Sequence, residues 1–159
     1  MFRYLLFLLL FCSYSFGCKC FSSEITKDNL DKHLSKQVLE AKDIYTGILV
    51  SSNIVNSDLL LSPDFPRNLS WKNLPYIEAT LYVKNVIKGN PKKIVKIRTA
   101  IHNCGMKIVM GNHYVIFSKE GQNEVSHCDA SRKIRWKDDD YLNEVKNLVK
   151  KQNEKAILK

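Results

Sequence analysis

Polar and apolar positions along the chain set out two helical stretches with a run of strands between them. Over 26–42, Leu30, Leu34, Val38 and Ala41 recur at spacings of four, four and three, which is one face of an amphipathic helix. Thr26 and Asp28 supply the polar residues that start it. Residues 44–50, Ile44-Tyr45-Thr46-Gly47-Ile48-Leu49-Val50, are β-branched and aromatic and read as a first strand. Gly47 inside it predicts a bulge or a sharp bend, as small closed barrels use. A second strand spans 76–88, with Ile77, Ala79, Leu81 and Val83 alternating before a break at Val86-Ile87. Gly89-Asn90-Pro91 is a turn, and the third strand over 94–98 makes a hairpin with the second. Residues 114–117 form a fourth strand and 125–128 a fifth.

Asp138-Asp139-Asp140 opens the last helix, 138–158, where carboxylates suit the positive end of the dipole. Its apolar stripe is Tyr141, Leu142, Val145, Leu148 and Val149, and lysines dominate its last turns. The stripe predicts a helix docked on the sheet; a basic helix lying on a membrane surface is the alternative. The fold class is therefore α+β, mainly β. It consists of a five-stranded antiparallel OB-like barrel with a helix before and a helix after the strands. Residues 51–75 form one long connection in which Pro63, Pro66 and Pro75 exclude regular structure. Leu59-Leu60-Leu61 and Trp71 are apolar for a loop, so they fold back on the core or form a contact patch. The sequon Asn68-Leu69-Ser70 places a glycosylation site there.

The N-terminus changes the picture. Arg3 precedes an apolar run over 5–11, and Ser15 and Gly17 stand three and one positions before Cys18, the pattern of a secretory signal cleaved after residue 17. The run is too short for a membrane span, which needs ~20 residues. An aliphatic residue, as a lipoprotein signal prefers, is not found at Ser15. Removing 17 of 159 residues leaves 142, one domain over 18–159. Cys12 departs with the signal, leaving Cys18, Cys20, Cys104 and Cys128. An even set in a secreted chain reads as two disulfides, with three pairings open. Without Arg3 there are 24 basic against 16 acidic side chains, a net charge of +8. That charge suits sulfated glycans or anionic surfaces, and secretion removes nucleic acid from the partners.

The chain offers no catalytic constellation, so an enzyme is not expected. His33, His102, His113 and His127 have no metal-binding spacing, and there is no Gly-rich phosphate loop or nucleophile elbow. Cysteines committed to disulfides are not nucleophiles. What remains is the terminus. An α-amino group with a pKa near ~7.7–8 is partly neutral at physiological pH. Together with the carbonyl oxygen of its own residue it can close a five-membered chelate on a metal, and catalytic zinc keeps one position for water or substrate. Bridging Cys18 and Cys20 to the distant sheet would hold that amine rigid. Each bridge closes a loop of roughly 85–110 residues, about 4–5 kcal/mol in the chain-entropy model. A simpler role for both cysteines is to staple the chain end to the barrel.

The order of features resembles a known family. Cys18-Lys19-Cys20 follows the signal, and Ala41-Lys42-Asp43-Ile44-Tyr45-Thr46-Gly47 opens the first strand. Val86-Ile87-Lys88-Gly89, Asn103-Cys104-Gly105, His127-Cys128-Asp129 and Trp136-Lys137-Asp138 come after. This is similar to the netrin-like domain of the tissue inhibitors of metalloproteinases, over about residues 18–141. The resemblance implies Cys18–Cys104 and Cys20–Cys128 bridges, with the amine and carbonyl of Cys18 on the catalytic zinc of a target protease. It implies no cofactor of the chain's own. Lys19 would enter the specificity pocket, and Phe21, Ser22, Ile101, His102 and Asn103 would complete the contact ridge. Three features depart from the pattern. Lys19 stands where the family has a small Thr or Ser, a third cysteine near Leu39 or Glu40 is missing, and so is the second, six-cysteine domain. The expected function is a secreted, monomeric inhibitor of extracellular zinc metalloproteinases, without membrane insertion. A netrin-like module for glycosaminoglycan or matrix partners is the alternative.

Overall fold

A computed structural model describes residues 27–61, 74–101, 104–121, 123–126, 128–135 and 139–157. Helix α1 (Lys27–Glu40) leads into strand β1 (Asp43–Val55), and a single helical turn, α2 (Asp58–Leu61), follows. Strands β2 (Tyr76–Lys88), β3 (Ile94–Ala100), β4 (His113–Ser118) and β5 (Arg132–Ile134) come next, and α3 (Asp140–Ile157) ends the described chain. The five strands form one antiparallel sheet in the order β3-β2-β1-β4-β5. The mixed, mainly β architecture with a helix at each end is as expected.

Two expectations fail together. The sheet is open rather than closed into a barrel, with β3 and β5 at its edges. The fifth strand is Arg132–Ile134 instead of 125–128. The segment around Val125 makes only isolated bridges, Arg98 with Glu124 in parallel and Gly105 with Ser126 antiparallel. Single bridges carry too few hydrogen bonds to make a ladder, so the gap between β3 and β5 stays unzipped.

Strand β1 sits at the centre and separates two cores. Ile44 joins Val115 and Phe117 on one face, under Leu34 and Val38 of α1 and Leu142, Val145 and Val149 of α3. Tyr45 and Leu49 join Leu81, Ile97, Tyr114 and Ile116 on the other face, which Met106 and Val125 cover. The stripe of α3 is thus docked, and Val145 is fully buried. Among the described residues no helix is long and apolar enough to cross a membrane. The Lys88 ammonium donates to the carbonyls of Val38 (2.7 Å) and Leu39 (3.3 Å), closing the C-terminal end of α1.

The register of β1 against β2 shifts between Thr46 and Gly47, the irregularity that the glycine predicts. A Cβ on Gly47 would lie 3.0 Å from the backbone oxygen of Tyr82, tighter than real side chains pack. At Gly89 the backbone has φ +79°, and a Cβ would fall on the Asp43 carboxylate, which already accepts the N–H of Asn90 at 2.8 Å. Residues 51–55, expected in the connection, instead extend β1. Ser51, Ser52 and Asn53 pair with Thr80, Ala79 and Glu78, and Val55 with Tyr76. Of the three leucines after it, Leu60 is exposed and in neither core; Trp71 lies outside the described residues.

Asp139 starts α3. Its carboxylate accepts the N–H of Tyr141 at 3.0 Å and that of Arg135 at 3.1 Å, as an N-cap does. Arg132 stacks over the Tyr141 ring at 3.7 Å, and the Tyr141 hydroxyl donates to the carbonyl of Ala130 at 2.6 Å. Replacing Asp139 with Ala removes the cap, and a loss of about 1–2 kcal/mol is expected in urea unfolding. Gly89→Ala is expected to destabilise the protein as well, through both its φ and the collision with Asp43, and an unchanged urea midpoint would contradict that packing.

Candidate functional site

One end of the sheet carries Ile101, Cys104 and Cys128, the described members of the set that the sequence singles out. Tyr76 pairs with Val55 on one side and with Ala100 on the other. The connection after β1 therefore leaves the sheet beside the point where β3 ends. Ile101 follows directly and is 37% exposed, so it is accessible to a partner. The chain then turns back. The Thr99 side chain is fully buried, and its hydroxyl oxygen accepts the N–H of Met106 at 2.7 Å. That bond ties the returning chain to the end of β3.

The second half of the platform comes from the segment after β4. Arg98 donates its backbone N–H to the carbonyl of Asn123, and its own carbonyl accepts the N–H of Val125, both at 2.8 Å. Gly105 then pairs with Ser126. These contacts set Cys104 and Cys128 on adjoining segments. Both are disulfide-bonded.

Asp129 organises the backbone around Cys128. Its two carboxylate oxygens accept the N–H groups of Ser126 and of Ser131, the latter at 2.6 Å. The Ser126 hydroxyl in turn accepts the N–H of Cys128 at 3.2 Å. Ser131 is buried and its Oγ accepts the N–H of Phe117 at 2.9 Å, a side chain standing in for a ladder partner. Burial raises the Asp129 carboxyl above the ordinary range, and the hydrogen bonds from Ser126 and Ser131 oppose that shift. Thr99, Asp129 and Ser131 were not marked by the sequence as site residues. The signal that could have found one of them is Asp129-Ala130-Ser131, the Asx-turn pattern in which a carboxylate takes the N–H two residues on.

Of the expected contact residues, the structure places Ile101 with Cys104 and Cys128 at this end. Cys18, Lys19, Cys20, Phe21, Ser22, His102 and Asn103 lie outside the described residues, as do the signal segment, the Asn68 sequon, His127 and Trp136-Lys137-Asp138. Among the described residues no group of three or more His, Cys, Asp or Glu side chains could hold a metal ion. Comparison with family models and with curated proteins finds no match to this chain.

Asp129→Asn leaves one of two backbone N–H groups facing an amide NH2 instead of an acceptor, which costs about 1–3 kcal/mol. The pH dependence has a definite sign. Because the folded carboxyl titrates above its unfolded value, its linked contribution is fully present below the unfolded value and is lost as pH rises through the raised one. The stability advantage of the wild type over the Asp129→Asn variant is therefore expected to be largest in acid and to narrow as pH rises. Urea unfolding on both sides of the carboxyl range measures it, and a gap that widens with pH would contradict the burial of Asp129.

Proposed function

We propose that the protein is a secreted inhibitor of zinc metalloproteinases, acting through Cys18 as the first residue of the mature chain. The observation that carries this reading is the placement of two disulfide-bonded cysteines, Cys104 and Cys128, on adjoining segments at one sheet end. Cys18 and Cys20 are separated by roughly 6.5–7 Å of extended chain, which matches two anchors on neighbouring segments. Cys18–Cys104 and Cys20–Cys128 bridges would fix the terminus there, in the netrin-like manner. The exposed Ile101 and the connection leaving at Val55 give that end further contact surface, with Phe21, Ser22, His102 and Asn103 completing it.

The chemistry follows from the terminus. A neutral α-amino nitrogen and the Cys18 carbonyl oxygen bind the protease zinc as a chelate and take the position of its water. Two bridges preorganise the pair, so binding does not have to order a free chain end. Lys19 enters the pocket beside the metal, where its stem packs and its ammonium must reach water. That requirement selects proteases with a wide or acidic pocket.

A specific surface favours a second reading, a module for sulfated glycans or acidic matrix proteins. The Lys84 and Lys93 ammonium groups lie 4.8 Å from the Tyr82 ring centroid, and Arg98 stacks over Tyr76 at 3.7 Å. They form a cationic and aromatic strip on the β2–β3 hairpin.

One added residue before Cys18, or acetylation of its amine, is expected to abolish inhibition in a metalloprotease panel while leaving the unfolding midpoint unchanged. Undiminished inhibition by the extended protein would sink the chelation mechanism. No inhibition by the native protein, with salt-sensitive retention on heparin, would favour the glycan module. Lys19→Thr is expected to tighten binding to proteases with apolar pockets, at least severalfold in the inhibition constant; an unchanged constant would place the side chain elsewhere.

A further inference from the structure

A cleft of about 650 Å³ lies between α3 and the outer face of the sheet, within the size range of small-molecule sites. Its floor is a row across three strands, Ile48 of β1 beside His113 of β4 beside Ile134 of β5. Directly paired residues project to the same face, so this row forms one surface. Leu142 and Lys146, one turn apart on α3, make one wall. Lys84 and Asn85 of β2 make the other, with the Asn85 amide donating to the Thr46 hydroxyl at 3.3 Å. Among the described residues no acidic side chain lines this cleft, and two of its side chains are ammonium groups.

A second cleft, of about 610 Å³, shares Asn85 and Lys146 with the first. Four of its nine lining residues are aliphatic, Val86 and Ile87 of β2 with Val149 and Ile157 of α3. Lys150, Asn153 and Glu154 of α3 line it as well. The pair of clefts thus sets a basic site beside a trough that offers four aliphatic side chains. The floor strands already spend their backbone groups on one another, Thr46 with Asn85 and Ile48 with Tyr82 and His113. Of the floor strands only β5, three residues long, has an edge left for an extended peptide to pair with. A ligand must instead gain its affinity from apolar burial and from one negative charge.

We propose that this trough binds a single-chain anionic amphiphile, a long-chain fatty carboxylate, with its head between Lys84 and Lys146 and its chain along Val86, Ile87 and Ile157. Apolar burial contributes per methylene, while the paired ammonium groups select a charged head over a neutral one. The inference does not depend on inhibition of any protease.

Calorimetric titration of the intact mature protein, below the micelle concentration of each probe, tests it. Dodecanoate is expected to bind saturably at one per chain, and dodecanol at least tenfold more weakly. Lys84→Gln combined with Lys146→Gln is expected to weaken dodecanoate at least tenfold at an unchanged unfolding midpoint, since both side chains are exposed. Ile157→Asp, at a position 83% exposed, is expected to weaken hexadecanoate at least fivefold and to leave octanoate within twofold. The absence of saturable dodecanoate binding overturns the proposal, as does equal affinity for dodecanol, which would leave only an apolar crevice. Binding of an acidic peptide without dodecanoate overturns it in favour of a protein partner. These wild-type comparisons hold even if a variant fails to fold.

Discussion

The close backbone approach at Gly47 is the constraint on which the rest of the structure depends. Strand β1 must pair with β2 on one side and β4 on the other while apolar cores press on both of its faces. A flat strand of this length would carry its far end straight out of the domain. The register shift at Gly47 bends β1 where its own missing Cβ allows the Tyr82 carbonyl to approach. One half of the strand lies under the helices, while the other half pairs with the part of β2 that β3 flanks on its far side. The register also shifts between Ile44 and Tyr45 and between Leu49 and Ser51, so the one at Gly47 is the middle of three irregularities along β1.

The platform at the sheet end depends on a different kind of bond. Little ladder holds it: the described contacts are two isolated bridges and the bonds of Arg98, Thr99, Asp129 and Ser131. Side-chain oxygens replace backbone partners that an open sheet does not supply. Such bonds fix a loop without adding a strand, and disulfides at Cys104 and Cys128 reinforce it. A closed barrel would have used the same backbone groups internally.

Much of this was legible in the residues because the relevant forces are local. The bounds of β2 match the alternation from Ile77 to Val83 and the turn at Gly89-Asn90-Pro91, and the stripe of α3 identified its buried face before any packing was known. Residues 51–55 were not legible as strand, because Ser51, Ser52 and Asn53 have low β-propensity and are exposed. Their pairing partners, lying more than twenty positions away in β2, override that preference. The fifth strand was misplaced for the opposite reason. Val125-Ser126 alternates like a strand, yet its neighbours hold it by single bridges. Arg132 and Lys133 look like loop and nevertheless complete a ladder with β4. The cysteines of the site could be read from their number and spacing. Asp129 and Thr99 could not, because their role is to satisfy backbone groups that only the folded loop brings near.

The same open architecture accounts for the cleft beside α3. Helix α3 packs on β1 and β4 through Leu142, Val145 and Val149, and the row through Ile48, His113 and Ile134 lies beside it as the floor of the cleft. Apolar side chains facing such a gap lose dispersion contacts that a filled core would supply. A sequence free to fill it would place large aliphatic residues at positions 84 and 146. This one has Lys84 and Lys146 there, so the gap keeps a basic mouth over an apolar floor. The arrangement sacrifices packing for a defined electrostatic character, and an anionic amphiphile is the class of ligand that would recover both terms at once.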